Sequence, residues 1–286
     1  MKKLITILFV LFFAGSMYSC NAFDWMDPNI NALDRCQSLN DSGDFAGAIE
    51  ACNDADPEGT NVDAQIELAD ASLGALGINI QTLSQIFLNK SGGTITIVDL
   101  AESLIKKSMI NKENAEQSKK YAQKSVDAMD RYGALIGNTL QDKQVAVFYS
   151  LLARVCQVAV LMAYADIESA TPDGKVTRDD ICNPDQPNCA AGAANICNGV
   201  ACEGMHSSDA GVAFVSMLNL VILLDTPASE GGLPSGIDIG AIDAMLDISF
   251  VDGGVSYNIR TAPGLIPSAI RDDAGRKVLL EMARTN

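Results

Sequence analysis

Histidine is all but missing. The chain of 286 residues holds one, His206, so a serine or cysteine nucleophile has one imidazole base available to it. No G-x-S-x-G brackets a serine, and no Walker or G-x-G-x-x-G loop is present; Gly92-Gly93 and Gly231-Gly232 read as turns. There is no C-x-x-C-H, which excludes a c-type haem attachment. Positive charge is also scarce: 20 lysines and arginines stand against 36 aspartates and glutamates, a formal charge of −16. With no basic patch to offset it, such a surface repels nucleic acid and anionic headgroups. Thirty-six acids allow many carboxylate pairs of the glycosidase type, but a body built of helical repeats rarely frames such a site. The expectation is a chain with no catalytic residues.

What is present begins with an export-type leader. Lys2 and Lys3 precede an apolar run over residues 4–14, followed by the small residues Gly15, Ser16 and Ser19. This is the layout of a secretory signal peptide, and the run is shorter than the ~20 residues of a membrane-spanning helix. Met17-Tyr18-Ser19-Cys20 resembles a lipobox, the site at which bacterial lipoproteins are cut before a lipid-modified cysteine. The resemblance implies a signal peptide over 1–19, lipidation at Cys20 and a tether over 20–29. Several acyl chains anchor stably where one does not. Asn21 after the cysteine, rather than Asp, is similar to the enterobacterial pattern that sorts to the outer membrane. The expected location is therefore the outer membrane, lipid-anchored, facing the periplasm or the surface. No second membrane span is expected: the longest later apolar stretch, residues 212–224, is interrupted by Ser216 and Asn219 and reads as a buried helix.

In an oxidising compartment the seven other cysteines default to disulfides. Cys36 and Cys52 fall on two predicted helices joined by a tight turn and can face each other. Cys182, Cys189, Cys197 and Cys202 crowd into one loop; of their three pairings, 182–189 with 197–202 closes the smallest rings. Their C-x6-C-x7-C-x4-C spacing does not suit zinc, whose ligands usually lie two to four residues apart. Cys156 sits in an apolar helical pattern and reads as a buried free thiol.

From Ile30 onward apolar residues recur at three and four: Ala32, Leu33, Cys36 and Leu39, then, after the turn Asp41-Ser42-Gly43-Asp44, Phe45, Ala48, Ile49 and Cys52. Gly43-Asp44-Phe45, Ala48-Ile49-Glu50, Cys52, Ala55 and Asp56-Pro57 resemble the second half of a tetratricopeptide repeat, with its Gly-Asp-Tyr turn, Ala-Ile pair and Asp-Pro ending. Departures are Ala32 and Arg35 where that family prefers Trp and Leu, and a final linker about three residues short. In the family the positions of Cys36 and Cys52 are neighbours, so the resemblance implies their disulfide. It also implies a helical hairpin over 30–57 with a surface suited to protein partners.

Further helical patterns cover residues 64–76, 97–110, 114–136, 144–167, 209–224 and 267–283, with shorter ones at 83–88 and 242–246. The expected fold is all-α, a TPR-like repeat or a bundle forming one domain over 30–286, interrupted by a cysteine-rich loop over 171–208. No strict 34-residue period survives beyond the first hairpin. Ser249-Phe250-Val251, Asp252-Gly253-Gly254 and residues 255–259 predict a small C-terminal hairpin. In its run of helices the chain is also similar to the T-component lipoproteins of TRAP-type transporters, which implies a solute-binding or transport accessory role as a second reading.

One segment invites a cation. Ser169-x-Thr171-x-Asp173-Gly174-Lys175-Val176-Thr177-x-x-Asp180 resembles an EF-hand loop. The resemblance implies calcium ligation by Ser169, Thr171, Asp173, the Lys175 carbonyl and Asp180, and with it a third reading, a calcium-stabilised structural envelope protein. Only Asp173 and Asp180 of that set are carboxylates. Asp54-x-Asp56-x-Glu58-Gly59 begins the same way but closes on Gln65. The leading expectation is an outer-membrane lipoprotein serving as a protein-interaction and assembly scaffold, with an envelope protein as partner, no cofactor required, and calcium the one cofactor that a motif suggests.

Overall fold

The computed structural model describes residues 31–78, 96–137, 139–168, 172–181, 207–233, 246–252, 254–261, 263, 266 and 271–284. Helices dominate them. The first two are α1 (Ala32–Ser42) and α2 (Phe45–Ala55). Asn31 caps α1 by accepting the Asp34 N–H at 2.9 Å. Gly43 ends α1 in the left-handed region at φ 81°, its N–H reaching the Asn40 carbonyl while the Asp44 N–H reaches that of Leu39. This is a Schellman closure, which a β-carbon would strain. Asp44 at once caps α2, accepting the Gly47 N–H at 3.1 Å. One glycine and one aspartate thus turn the chain back on itself, and Cys36 and Cys52 meet in a disulfide with their Cα atoms 5.0 Å apart.

Asp56 ends α2 and holds the linker to α3 (Val62–Gly74), which Asn61 caps. Its carboxylate accepts the N–H groups of Thr60 at 2.7 Å and Asn61 at 2.9 Å and the Gln65 carboxamide at 2.7 Å. The Asp-Pro linker is therefore held by hydrogen bonds inside the protein. The helices that follow are α4 (Ile97–Lys106), opened by a capping box of Thr96 and Asp99, α5 (Ala115–Leu135) and α6 (Leu140–Ile167), capped by Thr139. A single turn, α7 (Arg178–Ile181), precedes α8 (Ser207–Asp225). The hairpin of β1 (Ser249–Asp252) and β2 (Val255–Asn258) and the closing helix α9 (Arg271–Arg284) complete the described residues.

Packing does not follow chain order throughout. Helix α1 lies on α2, α2 on α3 and α3 on α5, while α4 turns its apolar face of Ile97, Val98, Ala101 and Leu104 to α6. Among the described helices the packing thus departs from chain order after α3, and α4, α5 and α8 gather around α6. Every residue of α6 from 151 to 167 is buried, enclosed by α4, α5 and α8. Truncating Leu152, fully buried there, to alanine costs about 2–5 kcal/mol. By length and composition α6 is apolar enough to cross a membrane, where the sequence pattern predicts only a long helix. The share of its most apolar window that lies inside the protein is 78%.

Polar side chains set the register of the long helices. Along α6, Arg154 reaches Asp130 at 2.6 Å, Gln157 reaches Gln123 at 2.6 Å and Tyr164 reaches Glu116 at 2.5 Å, so partners on α5 step back as α6 advances. The Ser216 hydroxyl of α8 donates to Gln157, and Lys119 pairs with Asp209 at 2.9 Å while lying 3.8 Å from the centroid of the Tyr164 ring. These bonds tie α5, α6 and α8 into one unit. The C-terminal hairpin appears where expected: Phe250 pairs with Tyr257 across it, their rings 5.4 Å apart, and Phe250 meets Phe214 of α8 edge-on. At the α8–α9 crossing Gly275 is so close to α8 that a β-carbon would strike the Ala210 carbonyl.

Candidate functional site

A concavity lies in the first third of the chain, where the end of α1, the α1–α2 turn, α3 and Tyr149 of α6 surround a groove of about 580 Å³. Local geometry builds it. The Schellman turn at Gly43 lifts Asp41 and Ser42 to one rim. Phe45, the first residue of α2, leans on Gly74, where any β-carbon would collide with its ring. Ile66, Glu67 and Asp70 present the outer side of α3 to the groove, with Leu68, Ala69 and Ala71 turned into the core.

At the floor is Asn40, on the buried face of α1 one turn beyond Cys36. Its amide nitrogen donates to Glu67 Oε2 at 2.9 Å and to Asp70 Oδ2 at 3.0 Å. Those two acceptors fix which way the amide points. Asn40 is 8% exposed, yet its Oδ1 has no hydrogen-bond partner among the described residues. An unsatisfied buried acceptor typically costs about 1–3 kcal/mol. Burial pushes the Asp70 carboxyl above the usual carboxylate range; the Asn40 bond opposes the shift and the charge of Asp41 adds to it. Among the described residues no lysine, arginine or histidine lines the groove. Its lining therefore combines the acids Asp41, Glu67 and Asp70 with the largely apolar side chains of Phe45, Ile66 and Tyr149.

The sequence reading passed over Asn40, Glu67, Asp70 and Tyr149. The only signal for Asn40 was its spacing of four from Cys36, which puts a carboxamide on an otherwise apolar face.

The EF-hand-like segment is described in part. Ser169, Thr171, the four loop cysteines Cys182, Cys189, Cys197 and Cys202, His206 and Cys20 lie outside the described residues. Gly174 takes the left-handed conformation expected of it, φ 78°. Asp173 accepts the Lys175 N–H at 2.9 Å, and Asp180 accepts both the N–H and the hydroxyl of Thr177 at 2.7 Å, so that it caps α7. A residue absent from the expected set organises the turn: Asp166, fully buried at the end of α6, accepts the N–H groups of Asp173 and Gly174, both at 3.2 Å. Burial pushes its carboxyl above the usual range, and the nearby charges of Asp180 and Asp173 add to the shift. Among the described residues no three acidic, histidine or cysteine side chains stand close enough to hold a metal ion.

Cys156 is a free thiol at the centre of α6, and burial pushes its pKa up to about 12, which leaves it without thiolate character near neutral pH. Tyr164 is likewise pushed up, by burial first and then by its bond to Glu116. These groups are structural. Comparison with protein-family models, with curated proteins and with solved structures finds no match for this chain.

Proposed function

We propose that this chain is a lipid-anchored outer-membrane protein whose helical body, TPR-like in its first hairpin, serves as an interaction and assembly scaffold for another envelope protein. The observation that carries the reading is the groove between α1, α2 and α3, with buried polar groups beside apolar side chains on rigid helices. Protein-binding surfaces have that mixture, and helices hold it without the ordering cost that a loop would incur. The leader, the lipobox-like Cys20 and the acidic balance of the chain support the location and the absence of nucleic acid. The reading assigns no catalytic residue.

A photo-crosslinking side chain placed at Ile66, activated in the native envelope, tests this. The expected result is one discrete adduct, absent when the same probe replaces Val212, which is 37% exposed and away from the groove. Equal labelling from both positions would remove the groove as a docking surface.

A further inference from the structure

The C-terminal hairpin has two edges, and the fold treats them differently. Just beyond the strands, Ile248 accepts the Ile259 N–H at 3.1 Å, which makes that facing pair a hydrogen-bonded one. Antiparallel pairs alternate, so Phe250 with Tyr257 and Asp252 with Val255 also exchange backbone bonds. Val251 and Ser256, facing each other between them, then turn their N–H and C=O groups outward. On the β1 edge the fold covers them: α9 packs against β1, and the Lys277 ammonium donates to the Val251 carbonyl at 3.1 Å. The β2 edge has no such cover. Ser256 is exposed, and its outward backbone groups meet no partner among the described residues. Sheet edges are ordinarily blunted by a charge, a proline or a bulge. From Val255 to Asn258 the strand has no charge and no proline, and its pairing runs on without a bulge.

We infer that β2 pairs antiparallel with β2 of a second copy of this chain, about a two-fold axis at Ser256, to make one four-stranded sheet. In that register Ser256 exchanges both of its outward bonds with Ser256 of the second copy. It also sets Val255 opposite Tyr257 of the second copy, and Tyr257 opposite its Val255. The two side chains share one face of β2, being two residues apart, and Val255 is 52% exposed. Aromatic and β-branched residues facing each other across strands are a stabilising pair. The row that Phe250 and Tyr257 begin, with rings 5.4 Å apart, thereby continues into the second copy and covers both valines. The strand is its own complement, which favours a second copy over a foreign strand. Charge agrees: two chains of formal charge −16 repel each other, and a contact between them is least opposed where both sides are neutral. A lone two-stranded sheet is marginal, and four strands are an ordinary size. Four residues a side bury far less than the ~1,200–2,000 Å² of a standard interface. The dimer is therefore weak, with a dissociation constant on the order of 0.1 mM.

Two measurements on the full chain in detergent test this. In sedimentation at up to about 0.5 mM, the unmodified chain is expected to self-associate, and Ser256→Thr to do the same. Ser256→Pro removes the outward N–H and leaves the hairpin's own ladder whole, so its association constant is expected to fall about tenfold or more, with unaltered melting confirming the fold. A chain that stays monomeric at that concentration, or Ser256→Pro associating as strongly, would overturn the proposal. Should the proline variant not fold, cysteine trapping decides. Residues paired in this way stand about 5.5 Å apart at Cα, within disulfide reach. Ser256→Cys is expected to give a linked dimer under mild oxidation, and Ser249→Cys, exposed on the covered strand, is not. Equal trapping at both positions would overturn the two-fold register. Linkage of Ser256→Cys in the native envelope to a different protein, with none to itself, would overturn the choice of a second copy. The groove reading stands or falls separately, since no residue of the hairpin lines the groove.

Discussion

Asp56 shows how one carboxylate can hold an inter-helix linker. Burial alone would raise its pKa, but the N–H groups of Asn61 and Thr60 and the Gln65 carboxamide outweigh that and hold it below the usual range. A lowered native pKa means a contribution present in full above the ordinary carboxylate range and lost as pH falls through the lowered value. Asp56→Asn, which keeps the shape and removes the charge, is expected to cost about 1–3 kcal/mol near neutral pH and almost nothing once the wild-type carboxylate is protonated. Urea denaturation of both proteins across the acid limb checks it; parallel curves would show that the charge is not what stabilises the linker. The sequence made this residue legible as a repeat-type Asp-Pro and no more, because its three donors come from residues 60, 61 and 65 and depend on how the linker folds. The Cys36–Cys52 bridge was easier to read, since a tight turn and helical spacing leave the two sulfurs few other positions. Asn40 and Asp166 were not readable: a polar residue in an apolar stripe has the same spelling whether it faces a groove, a loop or the solvent.

Among the elements, α8 and α9 cross in close contact, and Gly275 permits it. Gly275→Ala should improve local helix propensity by up to about 1 kcal/mol and still destabilise the protein. Pushing the Ala210 carbonyl and the Phe214 side chain apart is expected to cost about 1–3 kcal/mol, read as a lower urea midpoint with unchanged slope. A stabilised variant would mean that the crossing relaxes without penalty. The segment between α6 and α7 is a second case. Its turn is already held by Asp166, and its two motif carboxylates each accept bonds from the loop's own backbone. Melting is therefore expected to be the same in chelator and in millimolar calcium. A calcium-dependent rise that disappears in Asp173→Ala would instead make the loop an ion site. Helices were legible from period alone, with ends misplaced by a few residues, because capping by Thr139 or Asn61 extends a helix past its apolar stripe. Their packing order was not legible: α4 goes to α6 rather than α3 because of the match between two apolar faces, and nothing in the intervening sequence encodes that match locally.

On the scale of the whole molecule, the acidic balance bears on the proposed anchor. A chain with a formal charge of −16 stays apart from anionic headgroups unless something holds it there, and the proposed lipid on Cys20 supplies that hold. Cys20→Ser is expected to move the protein from the membrane fraction to the soluble fraction of a fractionated envelope; undiminished membrane retention would refute the anchor.

Arg154 lies at the midpoint of α6, paired with Asp130 across the α5–α6 seam. Under the proposed export of the chain, that position has a second meaning. The α6 segment, threaded through a translocation channel before α8 has followed to cover it, is long and apolar enough to escape sideways into lipid. A guanidinium at the centre of such a segment costs roughly 2.5–3.5 kcal/mol on insertion scales, enough to disfavour that escape by about a hundredfold or more. Arg154→Leu should therefore leave a fraction of the protein as an integral membrane species, resistant to carbonate extraction even when Cys20 is serine. One side chain would then serve twice, first as a passport through the bilayer and later as a rivet in the finished fold.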